Sequence, residues 1–102
     1  MRAVVCLPTY NERENLEPMV RSLGAQLDPS RDRVLVIDDN SPDGTGALAD
    51  KLAQELPWVS VLHRPEKQGL GPAYIAGFRH AIAAGAELVI EIDCDFSHDP
   101  AD

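Results

Sequence analysis

The chain has 102 residues, 44% hydrophobic and 25% charged, which suits one small folded domain and excludes both a two-domain chain and a disordered one. Nine Lys+Arg against seventeen Asp+Glu leave a formal charge of −8, which repels a phosphate backbone and excludes a general nucleic-acid binder. The lone Cys6 and Cys94 exclude a disulfide scaffold and a structural zinc, and the chain reads as cytosolic, with no apolar run near the roughly 18 to 20 residues of a membrane span.

The first apolar run, Ala3 to Leu7, is short and rich in β-branched residues, as expected of a strand. Leu16, Met19, Val20, Leu23 and Leu27 then follow helical spacing, with Asn11 read as the N-cap and Glu14 three residues on. Val34 to Ile37 is a second strand. After the turn Ser41-Pro42-Asp43-Gly44, Leu48, Leu52 and Leu56 mark a second helix that Pro57 closes. Val59 to Leu62 is a third strand, Ile75, Phe78 and Ile82 mark a third helix that Gly85 ends, and Leu88 to Ile92 is a fourth strand. Nearly all-apolar strands suggest burial on both faces. The expected fold is α/β, an open and mostly parallel Rossmann-like sheet with flanking helices.

In such sheets the ligand site lies outside the carboxyl ends of the strands, which directs attention to four loops. The first is Pro8-Thr9-Tyr10-Asn11-Glu12, where an aromatic face and a carboxylate suit a base. The second opens with Asp38-Asp39, carboxylates that could meet base or ribose donors or cap the turn. The third carries Arg64 and Lys67, cations fit to neutralise a diphosphate, followed by Gly69 and Gly71, which would permit a tight turn and a close backbone approach. The fourth begins Asp93-Cys94-Asp95: acids two apart on extended backbone point the same way, and they call for a hard divalent cation such as Mg²⁺ or Mn²⁺. Trp58, His63, His80 and His98 show no ligand spacing and read as packing or surface.

With these residues together, the sequence resembles the family 2, GT-A type inverting glycosyltransferases, and within them the dolichyl- or polyprenyl-phosphate mannose synthases. The resemblance is carried by Pro8–Glu12, by Val36 to Thr45, by Lys67-Gln68-Gly69-Leu70-Gly71 and by Asp93 to Pro100, and it spans essentially the whole chain. It implies transfer of mannose from GDP-mannose to a polyprenyl phosphate with inversion, at the cytoplasmic membrane face. It also implies that Pro8, Tyr10 and Glu12 line the guanine and ribose pocket, with Ile37, Asp39, Lys67 and Cys94 contributing to nucleotide binding. Asp93 and Asp95 would be the catalytic Asp-x-Asp pair and metal ligands, with Ser97 where some relatives place another ligand. An acceptor phosphate is already anionic, so no strong general base is required. Such transferases continue beyond the Asp-x-Asp strand, so residues 1–102 are expected to be the nucleotide-sugar-binding part, truncated after that motif, with either a missing C-terminal half or a homodimer completing it.

Other readings are a sister transferase using another donor such as UDP-glucose, or a non-catalytic nucleotide- or metal-binding module. A haloacid-dehalogenase-type hydrolase is disfavoured because its Asp-x-Asp opens the fold, whereas only seven residues follow Asp95. A dehydrogenase is disfavoured by the missing Gly-x-Gly-x-x-Gly.

Overall fold

The computed structural model describes residues 2–65 and 70–92. Their order is β1 (Ala3–Thr9), α1 (Arg13–Gln26), β2 (Arg33–Asp38), α2 (Thr45–Glu55), β3 (Val59–His63), α3 (Leu70–Ala83) and β4 (Leu88–Glu91). The strands form one parallel sheet in the order β3-β2-β1-β4, the open α/β arrangement expected from the sequence. The order reverses between β1 and β4, which is where a crevice opens at the carboxyl ends of an open sheet.

Alternation along β1 and β2 divides the core between the two sheet faces. Val5, Leu7, Val34 and Val36 meet Leu16, Met19, Val20 and Leu23 of α1 and Ala49 and Leu52 of α2. Val4, Cys6, Leu35 and Ile37 point the other way and meet Ala73 and Ala81 of α3. Both central strands are therefore apolar at nearly every position. β3 and β4 differ from that expectation: they are sheet edges among the described residues, and most of their side chains are half-buried or exposed.

Two local expectations are corrected. Asn11 does not cap α1; it sits in the left-handed region at φ 56°, the N-cap is Glu12, and no side chain of α1's own start closes the cap. Of the three residues that mark α3, Phe78 packs half-buried against the core while Ile75 and Ile82 are 52% and 66% exposed. The sheet-facing residues are instead the small Ala73, Gly77 and Ala81, which bring the helix so close that a Cβ on Gly77 would stand 2.5 Å from Ile37 Cδ1. Gly71 falls inside the first turn of α3, and a Cβ there would meet nothing within 4 Å. Gly85 does end that helix: at φ 93° it lets Ala86 N–H reach back to the Ala81 carbonyl at 3.0 Å.

Away from the carboxyl ends, the loop between α1 and β2 is more than a plain turn. The fully buried Asp32 takes both arms of the Arg2 guanidinium, at 3.0 and 2.7 Å, and the N–H of Asp28 at 3.0 Å. The start of β1 is thereby tied to the start of β2. No helix among the described residues is long and apolar enough to cross a membrane.

Candidate functional site

Parallel register brings three of the four expected loops together. Thr9 at the end of β1 stands opposite Asp38 at the end of β2, and Asp38 in turn stands opposite His63 at the end of β3. The backbone continues the pairing one step beyond the strands, with Asp39 N–H on the Thr9 carbonyl at 3.3 Å and Arg64 N–H on the Asp38 carbonyl at 2.8 Å. Chain segments far apart in sequence thus leave the sheet side by side.

The two carboxylates read together in the sequence have separate tasks. Asp38 is 2% exposed and turned inward. Its Oδ1 accepts the Thr9 hydroxyl at 3.2 Å and the Ser41 hydroxyl at 2.5 Å, while Oδ2 accepts the Ser41 N–H at 3.2 Å. That is the capping role, and it joins the end of β1 to the second loop. Asp39 lies beside Arg64, Oδ1 to Nη1 at 3.4 Å, with both side chains largely buried. Arg64, expected as a neutraliser of diphosphate, therefore faces a carboxylate of the protein itself, and a buried cation beside a buried anion offsets the desolvation of both.

The residues expected at the nucleotide fall into two groups. Pro8 is buried at the end of β1, and Tyr10 and Glu12 are half-buried on the turn that follows, where Glu12 Oε2 accepts Asn15 Nδ2 at 3.1 Å. Ile37 is fully buried by its side chain in the layer under α3, and its carbonyl accepts the Thr9 hydroxyl at 3.2 Å. Pro8, Tyr10, Glu12 and Asp39 thus share one edge of the sheet. Lys67, Asp93, Cys94, Asp95 and Ser97 lie outside the described residues; the strand leading to the last four, β4, runs parallel beside β1 and places Glu91 opposite Cys6. Among the described residues no three His, Cys, Asp or Glu side chains cluster as a metal site.

Sequence reading gave no role of their own to Asp43, within the turn before the second helix, or to Thr45, which follows that turn. Thr45 is fully buried, its hydroxyl donates to Asp43 Oδ1, and that hydrogen bond holds the Asp43 carboxyl below its ordinary value. The available signal was three hydrogen-bonding side chains at alternate positions, Ser41, Asp43 and Thr45, too many for one turn to need.

The chain is 51% identical to undecaprenyl-phosphate mannosyltransferase of Micrococcus luteus over 100 residues, covering 98% of this chain and 40% of that protein. It is 50% identical to polyprenol monophosphomannose synthase of Mycolicibacterium smegmatis, covering 97% of this chain and 37% of that one. The chain thus spans about two fifths of the length of these curated relatives. Its fold matches a mannosyltransferase from Pyrobaculum calidifontis, solved in complex with GDP-Man and Mn²⁺, with a TM-score of 0.82 and 28% identity over 92% of this chain and 27% of the other. Residues 4–102 match the model of glycosyl transferase family 2, nearly the whole length, and the chain belongs to that family.

Proposed function

We propose that residues 1–102 form the nucleotide-sugar-binding part of a glycosyltransferase that moves mannose from GDP-mannose to a polyprenyl or dolichyl phosphate, with inversion at the anomeric carbon. The observation that carries this reading is that the ends of β1 and β2, which carry Pro8, Tyr10, Glu12 and Asp39, leave the carboxyl edge of the sheet side by side, next to the point where strand order reverses. The half identity to relatives named for polyprenyl-phosphate mannose transfer supports the choice of donor sugar and acceptor.

In this reading Tyr10 offers a ring face to the base, Glu12 and Asp39 accept from base and ribose donors, and Pro8, Ile37 and Cys94 shape the floor beneath them. Lys67 faces the diphosphate. Asp93 and Asp95, with Ser97 as a further oxygen donor, hold Mg²⁺ or Mn²⁺, an oxygen-only set suited to a hard cation whose chemistry would be to take up charge on the departing GDP. The acceptor phosphate needs no general base, so the protein's contribution is alignment and charge stabilisation. A lipid phosphate places the reaction at the cytoplasmic membrane surface, with the chain peripheral to it. A second copy of this chain or further polypeptide would complete the acceptor side along the β4 edge.

Calorimetric titration with GDP-mannose, GDP and UDP-glucose, with and without Mn²⁺, tests the donor. Guanine-selective, metal-dependent binding that Asp95→Ala abolishes is expected. Preference for UDP-glucose would overturn the donor, and no binding by the folded chain would overturn the assignment of a self-sufficient donor site to these residues.

A further inference from the structure

An α-helix begins with N–H groups that have no partner inside the helix, and at α1 the N-cap residue Glu12 makes no side-chain cap bond. The amides at the helix start and in the residue before the cap are met from the second loop instead. Asn11 N–H donates to Ser41 Oγ at 3.1 Å, Glu12 N–H to Thr45 Oγ1 at 3.1 Å, and Arg13 N–H to Asp43 Oδ2 at 3.2 Å. Three successive amides are thus held by three alternate residues about thirty positions downstream. The holders are themselves held. The Thr45 N–H donates to Asp43 Oδ1 at 3.0 Å and the Thr45 hydroxyl donates to the same oxygen, while the Ser41 hydroxyl is fixed on buried Asp38.

We propose that Ser41, Asp43 and Thr45 are positioning residues, which cap α1 from another loop and so fix the backbone that presents Tyr10 and Glu12. What they position rests on the nucleotide-sugar reading above; that they position it does not. Thr45 is the centre of the device, because one completely buried hydroxyl both accepts from Glu12 and donates to Asp43.

The test compares Thr45→Val, which keeps shape and removes the hydroxyl, with Thr45→Ser, which keeps the hydroxyl and removes a buried methyl. Amide hydrogen exchange at Glu12 is read in the ligand-free chain, and affinity for GDP-mannose with Mn²⁺ is read alongside. Thr45→Val is expected to speed exchange at Glu12 and to weaken nucleotide-sugar binding by about tenfold. Thr45→Ser is expected to keep both near the parent values while melting at a lower temperature, a split that a merely structural role would not produce. Ser41→Ala, which releases the Asn11 amide and the hydroxyl bond to Asp38 but leaves the Glu12 and Arg13 amides held, serves if Thr45→Val does not fold, and it should weaken binding in the same direction. Unchanged exchange and affinity in the valine variant, or a serine variant as impaired as the valine one, overturns the inference. A parent chain that binds no nucleotide sugar overturns the proposed function, and the exchange comparison still decides whether the cap positions this backbone.

Discussion

The carboxylate of Asp38 stands 2.8 Å from the point that a Cβ on Gly46 would occupy, at the first turn of α2. Asp38 cannot retreat without releasing Thr9 and Ser41, which both hydrogen-bond to it. Gly46→Ala should therefore destabilise the chain by about 2 kcal/mol, because the overpacking cost exceeds the roughly 1 kcal/mol that alanine gains in a helix. Urea unfolding checks the sign: a stabilised alanine variant would mean that the carboxylate can shift freely.

How much of this was legible depends on the range of the interactions. Strand and helix order follow from periodicity, which is local, and the carboxyl edge follows from topology. The trans cap on α1 could not be read, because Asn11, Glu12 and Arg13 find partners about thirty residues away while Asn11 has the composition of a local cap. The contact face of α3 was not legible for a different reason: Ile75 and Ile82 announce themselves by size, whereas Ala73, Gly77 and Ala81 make a close helix–sheet contact by being small. Asp38 and Asp39 are neighbours of identical type, and only the fold shows that one turns inward to Thr9 and Ser41 while the other turns to Arg64.

Acid should unfold this protein through identifiable carboxylates. The Arg2 guanidinium and then the Asp28 N–H hold Asp32 below the ordinary 3.8, the Ser30 hydroxyl and N–H hold Asp28 below it, and the Thr45 hydroxyl holds Asp43 below it. A carboxylate whose value is lowered by folding stabilises the native state fully above its unfolded value and loses that contribution as pH falls through the folded one. Melting temperature should be nearly flat from about pH 7 to 5 and fall below about pH 4. Asp32→Asn should melt lower than the parent at neutral pH, with the gap narrowing as the medium is acidified; a gap that stays constant down to about pH 3 would remove Asp32 from this account.

Arg64 and Asp39 give a coupling that can be measured directly. Removing the guanidinium by Arg64→Met leaves a buried carboxylate beside an apolar side chain and should cost about 3 kcal/mol. In the Asp39→Asn background the same replacement should cost at least about 1 kcal/mol less, since no carboxylate charge then faces the apolar side chain. Equal costs in both backgrounds, read by urea unfolding, would show that the 3.4 Å approach carries no net interaction.

Cys6 should be chemically silent while the protein is folded. It has no accessible surface, and burial first, with the negative charge of Glu91 second, pushes its thiol up to about 11. The thiolate is the reactive form, so at pH 8 only about one molecule in a thousand would carry it even if a reagent could enter. In a Cys94→Ser variant, where Cys6 is the single thiol, iodoacetamide labelling should be very slow in buffer and should accelerate with urea in step with the loss of helical signal. Labelling of the native chain at the rate of an exposed thiol would mean that α3 lifts from β1 far more readily than expected of a helix packed so close that Gly77 has no room for a Cβ against Cys6 and Ile37.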